Sequence, residues 1–298
     1  MTLVELTRAY CSLHALEPIS EKGYLDAARI MGNPEINDIT FAMLQTERAR
    51  SKSPYSWNAT LGKLRATIRF AIQCGWATHE HPVFKVKRLH AEYVVREEIT
   101  DNERQILREI IQDSNRYKPD WFWLTLLDVL YYTGIRRRQL CHLRWGDLDL
   151  GAQTILLRAA GSKNKRERLL PLHPKLTPTL IVYRKNLQTL YAETPIDSST
   201  QLFNLNAARG LEANKHVEFG VDGVTRFFNK LSKDSGLHIT AHLLRHSFAT
   251  KISREIPNIK MVQLLLNHDR TETTLRYIHP TLEDMHAVMS IPLTKVGF

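Results

Sequence analysis

The chain has 298 residues, which is long enough for two domains with adequate hydrophobic cores. Its hydrophobic content of 43% and charged content of 24% are ordinary for globular proteins and exclude a wholly disordered chain. The formal net charge of +10 favours a polyanionic partner, although many basic proteins bind no nucleic acid.

The cysteines and the apolar pattern bear on the compartment. Cys11, Cys74 and Cys141 lie far apart and form no CxxC pair, which argues against a zinc ribbon or a disulfide framework and fits a reducing environment. The N-terminus lacks the layout of a signal peptide, and no run of about 18 apolar residues occurs. The sequence therefore predicts a soluble, cytoplasmic protein without membrane contacts.

The N-terminal third is predicted to be a compact helical bundle with basic edges. Apolar residues recur at helical spacing from Leu3 to Leu13. Further helices are expected at about residues 23–31, 39–48 and 55–75, and Lys63, Arg65 and Arg69 decorate the last of these. The basic stretch 84–96 is interpreted as an extended linker, which could lie along a phosphate backbone.

A second domain is expected to begin at residues 100–103 (TDNE), which form a capping box before a helix. A strongly apolar helix follows at about 121–132 and ends at Thr133-Gly134. The one clear β signal is a hairpin, 154–158 with 168–172, whose tip is the basic turn 161–165. The remainder is predicted to be helical apart from a polar loop near 194–209. The predicted fold class is mostly α with a small β-hairpin sheet (α+β).

The most specific segment is 242–250 (HLLRHSFAT). His242 and Arg245 are three residues apart and share one helix face, so both can point into one cleft. By itself, a His-x-x-Arg pair occurs by chance in many helices. This segment together with 264–279 (LLLNHDRTETTLRYIH) resembles the catalytic core of the tyrosine recombinase (phage integrase) family.

Two further boxes carry the same resemblance. Residues 133–136 (TGIR), followed by 143–149 (LRWGDLD), resemble the family's first arginine box. Residues 161–165 (GSKNK) before 168–172 (RLLPL) resemble its lysine hairpin. All the boxes occur in the family's order between about Thr100 and Tyr277, which makes the resemblance specific.

The resemblance implies a set of catalytic residues, which are Arg136, Lys163, His242, Arg245, His268 and Tyr277. The two arginines would clamp the scissile phosphate, because a guanidinium donates bidentate hydrogen bonds and keeps its charge. A phenol such as that of Tyr277 attacks poorly until cations or a base draw off its proton.

The remaining roles are also implied by the resemblance. His242 would be the general acid/base and His268 would hydrogen-bond the phosphate. Lys163 would protonate the 5′-oxygen leaving group, with Lys165 as the alternative because the register of the hairpin tip is open by a residue or two. His246 and His279 lie beside the motif. We interpret His246 as a residue that either packs in the interior or contacts and supports the catalytic residues, and His279 as exposed.

Two positions depart from the family pattern. Gln139 stands where the family usually has an acidic residue, and an amide accepts hydrogen bonds but carries no charge. Asn267 replaces a common glycine before His268, although asparagine tolerates left-handed backbone. Neither change removes an essential catalytic group.

The implied architecture is a helical core-binding domain and a catalytic domain that clamp double-stranded DNA. We place the first domain at residues 1–93, a linker at 94–99 and the catalytic domain at 100–298, with no arm-binding domain before them. The implied activity is site-specific DNA recombination through a 3′-phosphotyrosyl intermediate. A homotetramer on two synapsed DNA sites is expected, with the apolar tail after Tyr277 docking on a neighbouring protomer, and the protein would be associated with the nucleoid.

Three alternatives remain open from the sequence. They are a type IB topoisomerase, an RNA-binding protein, and a catalytically weakened recombinase homologue that binds DNA as a regulator, for which Gln139 would be the reason. The segment His79-Glu80-His81 is interpreted as a solvated turn, and neither a metal nor a cofactor is expected, because tyrosine transesterification conserves the bond energy.

Overall fold

The structure is a computed structural model that describes residues 1–91, 98–162, 166–191, 196–214, 216–256, 258–266, 271–275, 277, 286 and 289–290. The chain divides into two compact units, Met1–Val95 and Arg96–Phe298. None of the helices among these described residues is long and apolar enough to cross a membrane.

Among its described residues, the first unit contains four α-helices, which form a bundle. They are α1 (Leu3–Leu13), α2 (Pro18–Ile30), α3 (Phe41–Arg50) and α4 (Pro54–Gln73). Hydroxyl side chains begin three of them, since Thr2, Thr40 and Ser53 each accept a hydrogen bond from a backbone N–H of the first turn. Apolar residues at helical spacing, such as Leu6 and Leu61, are fully buried in the shared core. The predicted helical bundle is therefore confirmed.

The beginning of the predicted linker belongs to this first unit. Val86 is completely buried in its core. Arg65 donates to the Val86 carbonyl at 2.6 Å and to two carbonyls just before it, while the Asn58 amide pairs with both backbone groups of Leu89. The prediction of an extended linker from residue 84 is thus wrong at its start, because side chains of α4 hold this backbone. Arg65 accordingly has a structural role rather than lying free on the helix surface.

The second unit contains nine α-helices and three strands among the described residues. The helices are α5 (Asp101–Asp113), α6 (Asp120–Thr133), α7 (Arg137–His142), α8 (Leu176–Leu190), α9 (Leu205–Ala208), α10 (Val221–Ser235), α11 (Ala241–Glu255), α12 (Ile259–Leu265) and α13 (Thr271–Leu275). The strands are β1 (Leu148–Asp149), β2 (Thr154–Leu157) and β3 (Arg168–Pro171). The predicted class, mostly α with a small sheet, is confirmed.

The small sheet is antiparallel with the order β1-β2-β3. Ile155 pairs with Leu148 on one side and with Leu170 on the other, which buries its side chain in the core. The predicted hairpin is therefore confirmed. Strand β1 was not predicted, because a strand of two residues has no recognisable alternation. The tip residues 163–165 lie outside the described residues.

Helix α5 begins, and helix α6 ends, where the sequence predicts. Thr100 and Glu103 form a reciprocal capping box at the start of α5. Gly134 ends α6 in the left-handed conformation. Ile99, just before the capping box, is 2% exposed and packs into the core of the second unit, where its N–H donates to the Ser247 hydroxyl at 2.9 Å. The chain therefore enters this unit along α11.

Candidate active site

The turn after α6 positions the first arginine of the candidate site. Gly134 has a φ of +60°, and a Cβ added to it would lie 2.4 Å from the Phe248 ring. Only glycine fits both constraints. Its carbonyl oxygen accepts a hydrogen bond from Nη1 of Arg245 at 2.5 Å. Gly134, two residues before Arg136, thus connects the end of α6 to α11.

Arg136 is half-buried and is the N-cap residue of α7. Its backbone N–H donates to Oε1 of Gln139 at 2.8 Å, and the Gln139 side chain is 2% exposed. The amide therefore caps the helix that begins at Arg136, as a carboxylate would, but without adding a negative charge. Among the described residues, Nε2 of Gln139 has no hydrogen-bond partner.

Arg245 lies at the centre of the site. It is only 5% exposed, and its guanidinium donates to the carbonyls of Gly134 and Leu266. Burial and the positive charge of Arg136 lower the pKa of this guanidinium to about 9, whereas Tyr277 raises it. Arg245 thus remains protonated at neutral pH and lies within electrostatic range of both Arg136 and Tyr277.

His242 and Arg245 are placed by the same helix. Thr240 caps α11 by accepting from the Leu243 N–H at 3.0 Å, so His242 falls in the first turn and is exposed. Arg245 follows three residues later, toward the interior. One helix therefore presents an accessible imidazole and a buried guanidinium on neighbouring positions of its surface.

Tyr277 is 8% exposed and belongs to a small apolar cluster. The other buried members of this cluster are Ala249, Val262 and Leu266. The Tyr277 ring centroid lies 5.2 Å from that of His246, with the two planes tilted by 50°. The structure therefore brings three of the six predicted residues together, Arg136, Arg245 and Tyr277, with His242 one turn of α11 away from Arg245.

Lys163 and His268 lie outside the described residues, as do Lys165, Asn267 and His279. The two residues before Lys163 are closely packed. A Cβ added to Gly161 would lie 2.9 Å from Cα of Gln139, and Ser162 is 4% exposed. The base of the lysine turn therefore packs against α7. At the other end of the turn, Arg168 donates to the Leu264 carbonyl, near the end of α12.

His81 was predicted to lie in a solvated turn, and this is wrong. Its side chain is 5% exposed, with Nε2 3.0 Å from the Ile36 carbonyl and Nδ1 accepting from the Val83 N–H at 3.2 Å. Burial lowers the pKa of the imidazole, so the ring is neutral and occupies a structural position. Within the segment 79–81, only His79 and Glu80 are exposed. Within the described part of the chain, no group of three or more potential metal ligands clusters.

Two contacts of this site were not predicted from the sequence. The ring of His246 packs against Tyr277, and Arg168 connects the hairpin to α12. His246 lies four residues after His242 on the same helix face, and this spacing is a signal that would have found it. The contact made by Arg168 joins two distant segments and leaves no local signal.

The sequence profile of the phage integrase family matches residues 99–283. A "Putative tyrosine recombinase XerC" of Pseudomonas syringae is 29% identical over 97% of this chain and 64% of its own length. A protein of the same name from Pseudomonas aeruginosa is also 29% identical, over 97% of this chain and 71% of its own length. The chain thus spans about two thirds of the length of these relatives.

Solved structures share the fold. The Tn1549 transposon integrase in complex with transposon right end DNA superposes with a TM-score of 0.76 at 19% identity, covering 97% of this chain and 98% of that one. A lambda integrase dimer bound to a COC′ core site gives a TM-score of 0.67 at 21% identity, covering 94% and 96%. Because the family profile covers more than half of the chain, the protein belongs to the phage integrase family of tyrosine recombinases.

Proposed function

We propose that this protein is a site-specific DNA recombinase that cuts and rejoins DNA through a 3′-phosphotyrosyl intermediate. The observation that carries the proposal is the meeting of Arg136, Arg245 and Tyr277 in one region of the second unit. Arg245 bonds to the carbonyl two residues before Arg136 and to that of Leu266, which packs in one cluster with Tyr277. Two protonated guanidiniums beside a phenol form a site that favours a phosphodiester, whose charge grows in the transition state.

In the proposed reaction, the Tyr277 oxygen attacks the scissile phosphorus and its bond to the 5′-oxygen breaks. His242 takes the phenolic proton, Lys163 or Lys165 gives a proton to the departing 5′-oxygen, and His268 hydrogen-bonds the phosphate. The 5′-hydroxyl of a partner duplex then attacks the phosphorus and gives its proton to the same lysine, while the bond from phosphorus to Tyr277 breaks and the phenolate takes its proton back from His242. The packing of Gly161 against α7 supports the lysine assignment, because it holds the base of that turn near Arg136.

The proposed partner is double-stranded DNA, held by a core-binding domain at residues 1–93 and a catalytic domain at 100–298 that are joined by the linker 94–99. The net charge of +10 supports this partner, since each neutralised phosphate releases counterions. The DNA-bound neighbours of the same fold, Tn1549 integrase and lambda integrase, support it as well. We place the protein at the nucleoid for the same reason.

The proposed assembly is a homotetramer on two synapsed sites, as in a lambda integrase tetramer bound to a Holliday junction. The tail after Tyr277 would dock on a neighbouring protomer. Met289, one of its few described residues, is 84% exposed, which supports a role outside its own protomer. Leu282, Met285, Val288 and Ile291 lie outside the described residues.

The test is covalent trapping on a nicked suicide substrate. Wild-type protein is expected to form an adduct that resists denaturant, and Tyr277→Phe is expected to form none while its affinity for the same DNA stays within about twofold. The matched control is Tyr191→Phe, a partly buried tyrosine whose hydroxyl donates to the Ala207 carbonyl, and this variant should still form the adduct. Continued trapping by Tyr277→Phe would exclude Tyr277 as the nucleophile, and wild-type protein that binds without trapping would indicate a regulator instead.

A further inference from the structure

His246 is placed to support the side chain of Tyr277. It is 7% exposed and lies in the middle of α11, directly after the buried Arg245. The Thr250 hydroxyl donates to the His246 carbonyl at 3.1 Å within the helix. Its backbone is therefore fixed by a rigid element.

Tyr277 itself lies outside any helix. In the turn after α13, its N–H donates to the Thr274 carbonyl at 3.0 Å. In a short turn of this kind, neighbouring residues set the side-chain torsions of the tyrosine. The His246 ring, whose centroid lies 5.2 Å from that of Tyr277, is one such neighbour. The tilt of 50° between the two planes sets His246 obliquely against the phenol.

The contact also connects Tyr277 to α11, the helix that carries Arg245, a proposed phosphate ligand, and His242, the proposed general acid/base. His242 and His246 are one turn apart on the same face of α11, and Arg245 lies between them. A tyrosine that packs on His246 is thereby held at a fixed position relative to Arg245, which binds the scissile phosphate in the proposed reaction. A nucleophile gains most from being kept in a near-attack orientation, and a small displacement costs a large factor in rate.

We propose that His246 is a positioning residue, which orients the Tyr277 ring for attack through aromatic packing. The inference rests on the proposed function for its effect on cleavage, but the contact can be measured without it. Replacement by phenylalanine keeps a ring of similar shape and loses both nitrogens, whereas asparagine keeps a polar group and loses the ring. Alanine removes both.

The kinetic test is the single-turnover rate of adduct formation on saturating suicide DNA. His246→Ala and His246→Asn are expected to be slower by about 10- to 100-fold, with DNA affinity unchanged within about twofold, and His246→Phe is expected to recover most of the rate. A wild-type rate for His246→Ala, or a His246→Phe variant as slow as alanine, would overturn the proposal. Leu244→Val, buried on the same helix but in the main core, controls for loss of stability and should keep its rate.

A substrate with a bridging 5′-phosphorothiolate separates attack from leaving-group departure. Its thiolate leaves without needing a proton, so a defect in the general acid is relieved and a defect in the nucleophile is not. The His246→Ala rate should remain slow on this substrate, whereas Lys163→Ala should recover. Recovery of His246→Ala would overturn the assignment to Tyr277.

The contact itself is tested by fluorine NMR of protein labelled with 3-fluorotyrosine, in which the Tyr277 signal is identified by its loss in Tyr277→Phe. His246→Ala should shift this signal and Leu244→Val should not. An unmoved signal would overturn the proposal even if cleavage is slowed. If the wild-type protein traps no DNA, the proposed function fails while the shift still tests the contact.

Discussion

At the residue scale, Arg245 connects three parts of the candidate site. Its guanidinium donates to the carbonyl of Gly134, two residues before Arg136 in the first arginine box, and to that of Leu266, two residues before His268. Because both acceptors are buried backbone carbonyls, the side chain has a structural role in addition to the proposed binding of phosphate. A single ammonium group cannot reproduce the planar fork that spans two acceptors.

Arg245→Lys is therefore expected to impair both stability and chemistry. The free energy of unfolding should fall by about 1–3 kcal/mol because a carbonyl loses its donor. Adduct formation on suicide DNA should slow by about 100-fold or more. Urea unfolding and single-turnover trapping measure the two effects.

The matched control for this substitution is Arg254→Lys on the same helix, where the exposed Arg254 pairs with Glu98 at 2.7 Å. An exposed pair contributes about 0–1 kcal/mol, so this variant should behave like wild type. Equal effects of the two substitutions would contradict the central place given to Arg245.

His81 gives a pH prediction for the first unit. Burial keeps its pKa below the ordinary value of 6.5, so between that lowered pKa and 6.5 the unfolded chain binds more protons than the folded one. The stability associated with neutral His81 is complete above 6.5 and is lost as pH falls. The thermal unfolding temperature should fall as the pH is lowered from about 7.5 to about 5, and it should fall less steeply in His81→Gln.

The control is His79→Gln, since His79 is exposed two residues earlier. Its unfolding should follow the wild-type decline. His81→Gln should also be less stable at neutral pH by about 1–3 kcal/mol, because it loses bonds to Ile36 and Val83. An unchanged pH slope in His81→Gln would show that another group causes the decline.

At the element scale, the features that the sequence predicts correctly are those with local causes. The Thr100–Glu103 capping box, the end of α6 at Gly134 and the β2–β3 hairpin each depend on residues close together in sequence. Val86 and His81 were misjudged because their burial depends on partners in α4 and near Ile36, which no local pattern reveals. In the candidate site, the family's motifs predicted Arg136, Arg245 and Tyr277. The contact between His246 and Tyr277 depends on the packing of α11 against the turn after α13, which the motifs do not show.

Gly134 tests how far the turn after α6 positions the site. Gly134→Ala should lose more stability than the about 1–2 kcal/mol of a left-handed alanine, since its Cβ would collide with Phe248. The displaced turn should also slow adduct formation, because it carries Arg136 and an acceptor for Arg245. Urea unfolding and the trapping assay report the two changes.

Gly236→Ala is the control. Gly236 ends α10 with a φ of +71° and has no atom within 4 Å of an added Cβ, so this change isolates the cost of the backbone conformation. It should reduce stability and leave trapping intact. A Gly134→Ala variant with the same stability and trapping as Gly236→Ala would contradict the role given to the contact with Phe248.

At the scale of the whole molecule, a basic chain of two compact units carries the arginine and tyrosine boxes of one family in the second unit. The proposed nucleophile lies on a turn, whereas Arg245 lies on a long helix and Arg136 caps another. The proposed chemistry therefore depends on packing that brings separate elements together, and on DNA held close to them. The central claim is that one tyrosine of this chain becomes joined to a DNA 3′-phosphate.

The most direct measurement is mass spectrometry of the trapped adduct after nuclease and trypsin digestion. Trypsin releases a peptide that begins at Thr271 or at Tyr277 and ends at Lys295, and Tyr277 is its only tyrosine. We predict a nucleotide attached through a 3′-phosphate to Tyr277 in this peptide. A nucleotide on any other residue, or a linkage through a 5′-phosphate, would contradict the account.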